Sequence, residues 1–149
     1  RGTVLPEARA VIESADLILL GAGTLYTSII ATLLVGGMKE AMTTSHAKLA
    51  YVVGNYFETN GETGPAHLSE CIDELERYLP KPLDAIIVDR YDPSEGELVQ
   101  LAQRDIGVLE KDTEGLRDRT MIVQDFGDHL AQGMDPEKLA PVLRKYLSL

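Results

Sequence analysis

The apolar run Asp16-Leu17-Ile18-Leu19-Leu20 passes directly into Gly21-Ala22-Gly23-Thr24-Leu25-Tyr26-Thr27-Ser28, and no other stretch limits the fold as tightly. A short apolar run ending in glycines and then hydroxyl residues reads as strand, tight turn and helix N-terminus. α/β proteins hold phosphates at such junctions, where backbone N–H groups and the positive end of a helix converge on an anion. Gly21 and Gly23 let the backbone approach a ligand closely, and Thr24, Thr27 and Ser28 offer hydroxyls around the helix start. The pattern is not a dinucleotide fingerprint, because Tyr26 stands where G-x-G-x-x-G needs its last glycine, and no Gly-Lys-Ser/Thr follows to make a P-loop. A plain strand–helix turn with capping hydroxyls accounts for the same residues, so ligand and capping roles both stand at this point.

Alternation continues along the chain. Pro6 to Ser14 reads as a short helix, with Pro6 in its first turn and an apolar stripe of Ala8, Val11 and Ile12. Asp16–Leu20 is apolar throughout, as expected for a strand covered on both faces. Leu25 to Leu34 and Met38 to Thr44 read as helices separated by Gly36-Gly37, and Leu49–Val53 is a second apolar strand. A polar loop, Gly54–Pro65, leads to an amphipathic helix over His67–Leu79, with Leu68, Cys71, Ile72 and Leu75 at spacings 0, 3, 4 and 7. Ala85–Asp89 is the third strand, and a helix is expected around Glu95–Arg104. Gly107–Leu109 and Thr120–Val123 are candidate short strands. The last helix is capped by Asp135-Pro136 and carries Leu139, Val142 and Leu143, and Pro141 places the start of its regular part.

Strands alternating with helices predict right-handed βαβ units, and so a Rossmann-like α/β fold with a mostly parallel sheet flanked by helices. Ligands of such sheets bind beyond the carboxyl ends of the strands. Gly21–Ser28, Gly54–Pro65 and Arg90–Glu95 lie there.

At 149 residues the chain makes one domain-sized unit, and 44% hydrophobic with 26% charged residues argues against wholesale disorder. A net charge of −10 opposes nucleic acid and anionic membrane surfaces as partners, so a phosphate site here must act locally. No apolar run is long enough for a transmembrane helix. The single cysteine, Cys71, excludes an internal disulfide and a cysteine-built zinc site, which fits a reducing, cytoplasmic setting.

Among further candidates, Arg90 just past the third strand can clamp a phosphate or form a surface ion pair. His67 suits a cap or a surface position better than catalysis, and His46 and His129 read as surface residues. Cys71 lies on an apolar stripe and reads as core. Asp105, Glu110, Asp112, Glu114 and Asp118 lack metal-ligand spacing and read as a solvated acidic face, so neither a metal nor a cofactor is expected. No catalytic residue is assigned.

With these motifs in place, the chain resembles the YvcK-like gluconeogenesis factors, relatives of the CofD-like 2-phospho-L-lactate transferases. Those factors show G-P-G-S-L-Y-T-S at the first turn and N-x-M-T-Q-x-G-E-T after the next strand. Here the first motif is Gly21 to Ser28 and the second is Asn55-Tyr56-Phe57-Glu58-Thr59-Asn60-Gly61-Glu62-Thr63. The match runs from about Val4 to the C-terminal helix. It covers essentially this whole chain and about the C-terminal half of such a protein, so residues 1–149 are expected to be one α/β unit of a larger CofD-like domain.

The resemblance implies a cytoplasmic, Rossmann-like protein that binds a nucleotide or nucleotide sugar and acts in central carbon metabolism and in cell-wall or cell-shape control. Gly21, Gly23, Thr24, Tyr26, Thr27 and Ser28 would hold the diphosphate. Asn55, Thr59, Gly61, Glu62 and Thr63 would line the sugar or base side, with Arg90 at the edge. The transferase relatives imply an alternative, an enzyme moving a phospholactyl group from a guanosine diphosphate ester to a deazaflavin. A third reading makes this half a platform for homo-oligomerisation. Ala22, Thr24 and Thr32 depart from the proline, serine and asparagine of the factors, and Phe57-Glu58-Thr59 replaces M-T-Q.

Overall fold

The computed structural model describes residues 2–61, 64–116, 119–127, 129–131 and 133–147. The elements, in order, are α1 (Pro6–Glu13), β1 (Leu17–Leu20), a π-helix (Leu25–Ile30) running into α2 (Ala31–Leu33), α3 (Met38–Thr44), β2 (Lys48–Val52), β3 (Tyr56–Glu58) and α4 (Leu68–Glu76). They are followed by β4 (Ala85–Asp89), α5 (Glu95–Ala102), β5 (Ile106–Val108), β6 (Thr120–Gln124) and α6 (Pro136–Leu147). β1, β2, β4 and β6 make a four-stranded sheet in that order, and every neighbouring pair is parallel. The fold is the expected α/β arrangement.

Strand alternation divides the core between two faces. Leu49, Tyr51, Val53, Ile86 and Val88 pack against the π-helix, α2, α3 and α4. Ala50, Val52, Ala85, Ile87 and Ile122 pack against Phe126 and α6. The α4 stripe behaves as its spacing dictates, with Leu68, Cys71, Ile72 and Leu75 all buried. Burying each large apolar side chain contributes about 1.5–3 kcal/mol, which gives this helix its place on the sheet. α5 begins where Ser94 and Glu97 form a reciprocal capping box.

Three expectations need correction. β1 is not covered on both faces, since Leu19 is 39% exposed, and among the described residues it is an edge strand paired with β2. The stretch Gly54–Pro65 is not all loop, because β3 lies within it. The short strand expected at Gly107–Leu109 is present as β5, one residue earlier, and it pairs with β3 in a separate antiparallel ribbon. Finally, α6 starts at Pro136 and runs through Pro141. The Asp135 carboxylate accepts from the Glu137 N–H at 2.8 Å and secures that start, and one lost backbone donor at Pro141 does not undo it.

Candidate functional site

At the carboxyl edge of the sheet, the loops after β1 and β2 enclose a cleft of about 210 Å³. Gly23, Thr24 and Leu25 form one wall, residues 54–58 with Gly64 and Pro65 another, and Tyr51, Cys71 and Leu109 complete the lining. Thr24 organises the first wall. Its carbonyl accepts from Ser28 N–H at 3.2 Å and from Ile29 N–H at 3.1 Å, so the helix opens as a π-helix. Its hydroxyl shares hydrogen bonds with the Thr27 hydroxyl at 2.6 Å and the Ser28 hydroxyl at 2.8 Å. Three exposed hydroxyls are thereby gathered at one point. Gly23 eases this closeness, since a Cβ there would stand 3.3 Å from Ser28 Cβ and press on it, whereas Gly21 has open space around it.

The second wall is fastened from beneath. Asn55 is 1% exposed, and its Nδ2 donates to Asp89 Oδ2 at 3.1 Å. Asp89 Oδ1 accepts from Phe126 N–H at 2.9 Å and Tyr91 N–H at 3.3 Å. One fully buried carboxylate at the end of β4 thus ties together the loops after β2, β4 and β6. Asn55 therefore serves the cleft by holding its loop, with its side chain turned inward. The Asn55 carbonyl accepts from Leu109 N–H at 2.8 Å, which attaches the β3–β5 ribbon to the same point.

The floor is a tyrosine–thiol pair. Burial pushes the Tyr51 phenol far above its usual range, with the neighbouring Cys71 adding to the shift. Burial also raises the Cys71 thiol to about 11 despite a hydrogen bond with Tyr51.

Other sequence candidates fall elsewhere. Tyr26 is 37% exposed and is not among the residues that line the cleft; burial, with Glu74, Tyr78 and Cys71 nearby, raises its pKa. Thr59 N–H donates to Asp105 O at 2.8 Å, and Gly61 makes a turn at φ +110°; neither lines the cleft. Glu62, Thr63 and Asp118 lie outside the described residues. Arg90 lines a separate hollow of about 310 Å³ with Tyr91, Asp92 and Lys111 among its walls. The two hollows share Leu109.

His67 precedes α4 without a side-chain cap, and its Nδ1 lies 3.4 Å from Glu110. The cap comes from Asp112, which accepts from Ser69 N–H at 2.9 Å and from the Ser69 hydroxyl. Among the described residues no group of three or more His, Cys, Asp or Glu is placed to hold a metal ion, and no helix is long and apolar enough to cross a membrane.

Sequence reasoning missed Tyr51, Leu109 and Asp89. Their only linear signal was hydrophobicity or an unremarkable strand-end acid; proximity to the cleft comes from the fold.

A parallel sheet with a cleft at its carboxyl edge places the molecule among α/β proteins, whose ligands bind between strand-end loops. The family model described as 2-phospho-L-lactate transferase CofD matches residues 1–126, and the chain belongs to that family. It is similar to two proteins named "Putative gluconeogenesis factor". That of Thermotoga maritima is 39% identical over 132 residues, covering 89% of this chain and 40% of the relative. That of Nostoc sp. is 34% identical over 152 residues, covering 95% and 32%. A crystal structure of a Bacillus halodurans protein aligns with TM-score 0.79 at 26% identity, over 95% of this chain and 47% of that one. A second structure from that organism, described as a member of the UPF0052 family, gives 0.75 at 28% identity. The chain spans less than half the length of these relatives and structures.

Proposed function

We propose that this chain forms one wall of a nucleotide or nucleotide-sugar site in a regulatory protein of the gluconeogenesis-factor type, acting in the cytoplasm as part of a larger CofD-like domain. One observation carries this reading: the hydroxyl of Thr24, a residue lining the cleft between the β1 and β2 loops, lies 2.6 Å from that of Thr27 and 2.8 Å from that of Ser28. Hydroxyls and backbone N–H groups can receive diphosphate oxygens without a cationic cluster, which suits a chain of net charge −10. The open edge of β1 supports the larger domain, because a doubly wound sheet continues past the strand that begins its second half.

Calorimetric titration with uridine and guanosine diphosphate sugars tests the reading. At least one is expected to bind, and Thr27→Ala combined with Ser28→Ala is expected to weaken it about tenfold, the effect of losing two hydrogen bonds worth about 0.5–1.5 kcal/mol each. No binding by wild type, or undiminished binding by the variant, overturns it. The description of the matching family model favours a second reading, transfer of a phospholactyl group from a guanosine diphosphate ester to a deazaflavin. Product formation with those two substrates would establish it.

A further inference from the structure

We propose that Phe57 is the aromatic platform of the cleft and that the ring it receives is a nucleobase; this rests on the nucleotide reading above and names which part of the ligand lies where. Phe57 is paired directly with Gly107 across the β3–β5 ribbon. A Cβ on Gly107 would lie 2.4 Å from Phe57 Cζ and within 2.8 Å of both Cε atoms, so the tip of the ring covers the glycine and only glycine leaves it that room. Alternation along β3 sends Tyr56 to the opposite side, where it neighbours the Tyr91 phenol. Tyr56 and Phe57 both border the cleft, and Phe57 is the one whose ring is fixed across the ribbon on Gly107.

The size of the cleft decides what can stack there. At about 210 Å³ it is smaller than the roughly 300–1,000 Å³ of sites that engulf a drug-sized ligand. One planar ring system fits within it, and the rest of a nucleotide would extend along the neighbouring wall. The facing wall, Gly23 to Leu25, leads directly into the Thr24–Thr27–Ser28 hydroxyls. A base on Phe57 with its phosphates at those hydroxyls follows the order in which a nucleotide is built. A planar base gains from a rigid aromatic face in a way that a puckered sugar does not. The related motif carries methionine at this position, so the platform belongs to this chain's own sequence.

The test is a titration of the chain with its phenylalanine rings labelled for NMR, using GMP and UMP against ribose 5-phosphate and N-acetylglucosamine 1-phosphate. The chain has two phenylalanines, and the fully buried Phe126 serves as the internal reference. The nucleotides are expected to shift the Phe57 ring signals while Phe126 stays still. Phe57→Leu is expected to weaken nucleotide binding about 5- to 100-fold, the usual effect of losing one base stack, while ribose 5-phosphate binding is unchanged. Phe57→Tyr, which keeps the ring and guards against a collapsed ribbon, is expected to retain affinity. Phe57 shifts from nucleotides support the platform even if pyrophosphate leaves Gly21–Ser28 undisturbed, a result that removes only the diphosphate placement. No Phe57 shift from either nucleotide, shifts from the sugar phosphates alone, or an equal loss for ribose 5-phosphate in Phe57→Leu overturns it.

Discussion

Cys71 shows how one side chain takes its character from packing. Its place on the α4 stripe makes it core, and the fold then seats it beside Tyr51 at the cleft floor. Burial pushes its pKa up to about 11, so the reactive thiolate is scarce at pH 8. The native chain is therefore expected to react with a disulfide-exchange reagent only after denaturant is added, and fast labelling under native conditions at pH 8 would contradict the packing. The stripe was legible because helical spacing is local. The clustering of Thr24, Thr27 and Ser28 was legible for the same reason, since residues three and four apart share a helix face. Asp89 was not, because its donors come from Asn55, Tyr91 and Phe126 on three separate loops. Arg90 was placed near the right edge of the sheet, but strand-end position alone could not tell one hollow from its neighbour.

Among the elements, the β3–β5 ribbon departs furthest from what sequence offered. β5 was anticipated as a short strand at Gly107–Leu109, but three-residue β3 carries too little alternation to be seen, and the pairing of the two spans about 50 residues of chain. Gly107 is its tightest point. Gly107→Ala is expected to destabilise the chain by about 1–3 kcal/mol through the clash with Phe57. Adding Phe57→Ala should return much of that loss, a coupling that a double-mutant cycle in urea would measure.

The far end of α4 is held differently. Glu76 accepts from Arg119 at 2.8 and 3.1 Å and from Leu83 N–H at 2.8 Å. Burial pulls its pKa upward, but the hydrogen bonds from Arg119 and Leu83 and the charge of Arg119 outweigh this and hold it below 4.5. A depressed folded pKa contributes stability above the unfolded value, and that stability is lost as pH falls through the folded one. Glu76→Gln is therefore expected to cost about 1–3 kcal/mol at pH 7, and the gap from wild type should narrow below pH 4.5. A gap that stays constant with pH would remove the ionic part of the explanation.

For the molecule as a whole, the parallel sheet was legible from apolar runs broken by helical periods, and strand order placed the glycine–hydroxyl turn and the Gly54–Phe57 wall side by side. What the runs could not convey was that β1 would be an edge strand among the described residues, with Leu19 exposed. Hydrophobicity reports that a residue is fit for burial but not which neighbour buries it, and this chain spans less than half the length of its relatives. The central claim concerns where a nucleotide sits on this sheet. An amide shift map of the chain titrated with UDP and GDP tests it most directly. The account predicts perturbations concentrated at Gly21–Ser28 and at Gly54–Phe57. Perturbations centred on Arg90–Pro93 and Lys111, with the glycine–hydroxyl turn unmoved, would contradict it.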